Sequence, residues 1–427
     1  MALDSLNRKP SNAHQALDHD LSALHTPNSE LPFSEKTHAA NRNLSEAVSK
    51  YELWAARIGF FTGGFTVASW APLIPFVQSN LALEPFVLGI LLLGLGVGSF
   101  VGMPLAGTLT QKIGARNAIA LSGLLSCALL VLLALMPGFY FECIALLLYG
   151  VTLGCLEVSV NIYGTYLENR QRGRLMSGLH AAYSIGEVAS AAALTALFVA
   201  GVTPLGAVST LMLVLSVALI AVLRNIDNHK IDSPKKAKNA RTNFKFRGAV
   251  SILAVICAVI FLTEGAMLDW SAIYLRDNAG VPQEASAFGY TLFVIAMAIS
   301  RLVGDRLTTQ LGARNVITAG VVILLATLFV LVFIPHPLPA FAALFVMGLG
   351  IANLAPILIS AASRASETDS VKAITAVTTV GYGGLLAGPA LIGAISSAIS
   401  LQGAFLFICA LLLAGLFMIK RHQNVFD

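Results

Sequence analysis

The chain has 427 residues, 56% of them hydrophobic and 11% charged, with a formal net charge of +5, where an ordinary soluble domain carries roughly 25% charged residues. That balance excludes a soluble enzyme and points to an all-α, polytopic membrane protein. The five cysteines form no CxxC pair and lie in or near apolar runs, so neither disulfides nor zinc are expected, and no ATP-binding motif or other cofactor site is present.

Residues 1–50 are polar, rich in Ser, Asn and His, and lack the basic, apolar and cleavage regions of a signal peptide. They read as a retained, disordered tail in which His14, His19, His25 and His38 lack metal-ligand spacing. Twelve apolar segments follow, each long enough to cross a hydrocarbon core of roughly 30 Å as a helix. They cover residues 53–78, 86–110, 117–136, 140–166, 175–200, 204–223, 248–275, 285–308, 315–334, 339–362, 372–397 and 402–419.

On span one, Thr62, Thr66 and Ser69 recur at i, i+4 and i+7, a polar stripe for a solute or a neighbouring helix. The loop after span two reads Gly107-Thr108-Leu109-Thr110-Gln111-Lys112-Ile113-Gly114-Ala115-Arg116, and its Gly-Ala-Arg-Asn ending recurs at Gly312–Asn315 after span eight. A repeat at matched positions, either side of a basic stretch, argues for two duplicated halves. Span four carries Glu157 with Asn161 one turn on, and span five carries His180, Ser184 and Glu187 on one face with Tyr183 beside it.

The stretch 224–247 has eight basic residues against Asp227 and Asp232 and reads as a linker between halves 51–223 and 248–421. Topogenic charge accounts for it without a lipid-headgroup or nucleic-acid partner. Span seven carries Glu264 at its middle, with Asp269 about 140° around the helix beside Trp270, placed to cap a broken helix or line the outer mouth. Arg301 and Asp305, four apart on span eight, read as an intrahelical pair or gate contact, and Asn353 marks span ten as a polar contact for a solute or a neighbouring helix.

Span eleven contains Thr379-Val380-Gly381-Tyr382-Gly383, the letters of a potassium-channel filter. It begins just after Lys372 on the cytoplasmic side, the wrong side for a filter loop, and Thr375, Thr379 and Tyr382 share one helical face. A cavity-facing stripe, with the glycines as packing positions, is the better reading.

Glu157, Glu187 and Glu264 are each near mid-helix, where an ionisable group costs about 2.5–3.5 kcal/mol on insertion scales. Three carboxylates around one low-dielectric cavity repel, so at least one is expected to bind a proton, which is the chemistry of proton coupling. Lys112, Arg116, Arg170, Arg172, Arg174, Arg306, Arg314, Arg364, Lys372, Lys420 and Arg421 fall after even-numbered spans and Arg276 alone after an odd one, which puts both ends, including the tail 422–427, in the cytoplasm.

With these features the chain resembles the major facilitator superfamily, whose loop between spans two and three has the form G-x-L-x-D-R-x-G-x-R. The resemblance implies twelve helices in two pseudo-symmetric six-helix halves and a gating role for Gly107, Lys112, Gly114 and Arg116. Gln111 stands where the family has aspartate, which removes a charged latch from this half. Glu157-Val-Ser-Val-Asn161, Thr263–Ser271 and Gly381-Tyr382-Gly383 with Gly388-Pro389 are similar to the bacterial YbjJ-type inner-membrane proteins, which implies a bacterial cytoplasmic membrane but no solute. The expectation is a monomeric, proton-coupled secondary transporter of a small organic solute; a non-transporting sensor or scaffold on the same fold is the alternative. Absence of a midplane Arg or Lys argues against strongly anionic solutes.

Reporter fusions at Lys238 and Asn278 are expected to give opposite compartment signals, and equal signals would overturn the twelve-span count or its boundaries.

Overall fold

A long apolar run in lipid must satisfy its own backbone donors and acceptors, and a helix does so residue by residue. The computed structural model describes residues 48–171, 175–228, 248–365 and 370–422. Within them are twelve helices long and apolar enough to cross a membrane. The first six are α1 (Lys50–Asn80), α2 (Pro85–Ile113), α3 (Ala115–Leu133), α4 (Phe139–Gln171), α5 (Met176–Val199) and α6 (Pro204–Leu223). The second six are α7 (Ala249–Asp277), α8 (Phe288–Leu311), α9 (Ala313–Phe333), α10 (Pro337–Ile351 and Leu354–Ala365), α11 (Ser370–Ala398) and α12 (Leu401–Arg421). The histidine-bearing tail, Arg172, Arg174 and linker residues 229–247 lie outside the described residues, as do the side chains of Asp305 and Lys372.

Two spans expected as single helices are interrupted. Helix α1 tightens into a 3-10 turn at Ala71–Leu73, where Pro72 and Pro75 remove backbone donors, and α10 pauses at Ala352 and Asn353. At its start α1 is fixed by a capping box between Ser49 and Glu52, and Glu52 also pairs with Arg170 at the end of α4 at 2.6 Å.

The internal duplication appears in three dimensions as a repeated cap. Gly114 ends α2 at φ 86° and Gly312 ends α8 at φ 82°, a region that favours glycine, and each next helix starts at once. Asn117 and Asn315 then donate to the carbonyls of Ile113 and Leu311, at 3.0 and 2.8 Å. Packing repeats as well: α2 lies on α4 and α1 on α5, as α8 lies on α10 and α7 on α11.

Glycine brings these helices into backbone contact. A Cβ on Gly98, Gly102, Gly150 or Gly154 would sit 2.1–2.3 Å from a carbonyl oxygen of the facing helix, α4 for the first two and α2 for the others. Gly64 on α1 and Gly186 on α5 form a reciprocal pair of the same kind. A Cβ on Gly384 of α11 would likewise sit 2.2 Å from the Ala258 carbonyl oxygen of α7. Small residues at helix crossings permit the dispersion and close contact that hold helices together in lipid.

The two halves meet along α2 with α11 and α5 with α8. Hydrogen bonds seal them at the end opposite Lys50 and Arg421. Arg276 of α7 donates to Pro75 O and Ser79 Oγ at 2.8 Å and to Gln78 Oε1 at 2.6 Å, all on α1, while Asp277 orients its guanidinium. Ser397 accepts from Phe86 N at 2.8 Å, and Thr195 meets Thr291 at 3.3 Å.

Substituting Gly150→Val places a branched side chain against the Leu95 carbonyl and is expected to abolish monodisperse protein in size-exclusion chromatography. Gly94→Ala, with nothing within 4 Å of its Cβ, is expected to elute as wild type, with a stability change of about 1 kcal/mol or less. Equal behaviour of the two variants would sink the crossing argument.

Candidate functional site

Between the halves lies a cavity of about 570 Å³, walled by α1, α2, α4, α7 and α11. The α2 wall is Leu92, Gly96, Ser99 and Met103, one helical face at i, i+4, i+7 and i+11. Facing it, α11 presents Thr379, Tyr382, Leu386 and Pro389. Phe261 of α7 stacks on the Tyr382 ring at 5.3 Å, while the tyrosine remains 40% exposed along the cavity.

Two carboxylates enter this largely apolar chamber, Glu157 from α4 and Asp269 from α7. Helix α7 runs unbroken through Asp269, so this residue caps no helix break and lines the central cavity. Among the described residues neither carboxylate has a hydrogen-bond or ion-pair partner. Asn161 does not reach it; its Nδ2 folds back onto the Glu157 carbonyl oxygen at 2.7 Å.

Glu264 and Glu187 form the second part of the site with Arg301. Arg301 Nη2 of α8 lies 3.8 Å from Glu264 Oε1 of α7, and Glu187 of α5 is near enough to feel Arg301, Glu264 and Glu157. Sequence spacing reads Arg301 as an intrahelical partner of Asp305 or a gate contact, and the Asp305 side chain lies outside the described residues. Arg301 reaches from α8 to α7, which sets a basic group beside a mid-helix carboxylate, and its charge also acts on His180. His180 itself is exposed and meets Phe60 edge-on at 5.3 Å.

Several expected cavity residues are spent on helix packing. Thr62, Thr66 and Ser69 are fully buried and donate to the carbonyls of Ile58, Thr62 and Phe65 at 2.8, 2.7 and 2.6 Å. Ser69 also bonds Ser190 of α5 at 2.6 Å, so the stripe faces neighbouring helices and not the cavity. Asn353 uses its Nδ2 on Ser300 O and Oγ of α8, at 3.0 and 2.9 Å, across the pause in α10. Trp270 is 2% exposed or less and lies in the core beside the cavity-lining Asp269. The Tyr183 ring packs against Gly63, and Ser184 is half-buried outside the cavity wall.

Thr375 is exposed a turn before Thr379 but off the chamber wall. Gly107, Lys112, Gly114 and Arg116 sit where α2 turns into α3, and Gly114 packs against Asn228, whose Oδ1 also accepts from Asn117 N at 3.4 Å. Sequence reasoning missed the α2 wall, since an apolar face at helical spacing looks the same toward lipid, core or cavity. It also missed Glu142, fully buried near the start of α4, whose two carboxylate oxygens have no hydrogen-bond partner among the described residues.

Comparison with known proteins matches residues 57–290 and 270–424 to the family model described as Major Facilitator Superfamily. A Yersinia pestis protein described as an uncharacterized MFS-type transporter is 36% identical over 386 residues, covering 89% of this chain and 97% of that one. Membrane protein MosC of Rhizobium meliloti is 29% identical over 362 residues, 84% of this chain and 88% of that one. In fold, the nucleoside transporter NupG superposes with a TM-score of 0.67 at 15% identity, covering 87% and 100% of the two chains. The peptide transporter POT in complex with sulfate gives 0.71 at 14% identity, covering 88% and 95%.

Asn353→Ala removes the donor that joins α8 to α10 and is expected to lower the melting temperature in detergent, the net worth of such a hydrogen bond being about 0.5–1.5 kcal/mol. An unchanged melting temperature would return Asn353 to the list of solute contacts.

Proposed function

The chain belongs to the major facilitator superfamily, and from that premise we propose that it is a proton-coupled secondary transporter of a small organic solute, working by alternating access. In this reading it is a monomer in a bacterial cytoplasmic membrane, with both termini and the 224–247 linker in the cytoplasm. The observation that carries the coupling is the ionic group at mid-helix: Glu264 and Arg301 at 3.8 Å in one half, with Glu187 of the other half within range of both charges.

A proton on Glu264 cancels its charge and weakens its hold on Arg301. The guanidinium charge then acts more strongly on Glu187, which draws α5 and α8 together across the seam between the halves. Loss of the proton restores the Glu264–Arg301 pair and relaxes that attraction. Each proton thus biases a two-state rocking of the halves, while closure at the opposite end depends on the Arg276 contacts with α1.

Glu264→Gln keeps shape and hydrogen bonding but cannot release a proton. In proteoliposomes this variant is expected to lose proton-driven accumulation or extrusion and to keep exchange between preloaded compartments. Transport against a gradient at the wild-type rate and pH dependence would eliminate Glu264 as the coupling group.

A further inference from the structure

The cavity wall specifies a chemistry for its occupant. Apart from Glu157 and Asp269, its polar side chains are the hydroxyls of Ser99, Thr378, Thr379 and Tyr382, and the remaining wall is apolar. The nearby cation, Arg301, is engaged by Glu264 and does not line the chamber. Among the described residues, then, two carboxylates face the space with no cation on its wall, in a site where an anion would meet uncompensated like charge.

We propose that this chamber binds a largely apolar solute bearing a protonated amine or other fixed positive charge, held between Glu157 and Asp269 with its apolar body against the α2 and α11 walls. The inference rests on the transporter reading above and narrows its solute class. Tyr382, backed by Phe261 and exposed along the cavity, adds an aromatic surface for the cation. A volume of about 570 Å³ suits a molecule of drug size. Because α2 and α4 belong to one half and α7 and α11 to the other, such a solute touches both halves at once.

The test uses the purified full chain and three probes that share aryl groups and differ in charge: tetraphenylphosphonium, triphenylphosphine oxide and triphenylacetate. Equilibrium dialysis is expected to show saturable binding of tetraphenylphosphonium, at least tenfold weaker in Glu157→Gln and in Asp269→Asn. The neutral oxide should bind at least tenfold more weakly than the cation and respond to neither substitution, and triphenylacetate should not compete. Absence of saturable cation binding, cation binding indifferent to both substitutions, or competition by triphenylacetate at equal strength would each overturn the proposal. If both variants fail to fold, the charge series on the wild-type protein still decides it. Dialysis needs no gradient, so cation binding without any transport in proteoliposomes defeats the transporter reading alone. Glu264-dependent transport without cation binding defeats this inference alone.

Discussion

Lipid tails are as apolar as leucine, so helices in a bilayer gain little by hiding leucines from them, and association has to come from close contact between backbones and from interhelical hydrogen bonds. The glycine crossings of α2 with α4, α1 with α5 and α7 with α11 supply that contact, each bringing a backbone carbonyl where a Cβ would otherwise stand. The Thr62, Thr66 and Ser69 stripe serves the same end, its hydroxyls satisfied within α1 or by Ser190 so that these three side chains are buried without being orphaned. Every wall of the cavity is a helix held by one of these crossings, and the positions of Glu157, Asp269 and Tyr382 follow from them.

Polarity within the centre of the molecule is divided. On one side lies an apolar chamber with two carboxylates that have no partner among the described residues; on the other, Arg301 is set among Glu264, Glu187 and His180. Glu157 lies within electrostatic range of Glu187 and so joins the two regions. The α2 and α11 walls also make the seam between halves, where Phe86 N meets Ser397 and Gly89 approaches the Pro389 carbonyl. Whatever fills the chamber therefore touches the same surfaces that join the halves.

The filter-like pentapeptide illustrates how context decides a motif. In the structure Gly381 faces Phe261 and Cys257 inside an unbroken helix, and Thr379 and Tyr382 reach the cavity through their side chains. A filter needs irregular backbone lined by water, and α11 has none at this position. Its Pro389 lies within the helix without ending it, with the Gly89 backbone close enough that a Cβ there would stand 2.5 Å from the Pro389 carbonyl.

Sequence by itself determined the twelve spans and the duplication, because segment length against bilayer thickness and the repeated Gly-Ala-Arg-Asn cap are local properties, legible residue by residue. It also picked out the ionisable groups at mid-helix, since a charge in an apolar run stands out wherever the helix points. Direction and partnership were decided only by the tertiary structure. A hydroxyl stripe looks alike whether it faces solute or a neighbouring helix, which is why spacing leaves Thr62 and Asn353 open between the two and does not reveal the α2 wall. The contact of Arg301 with Glu264 on another helix belongs to the packing of α7 against α8, and no interval along the chain encodes it.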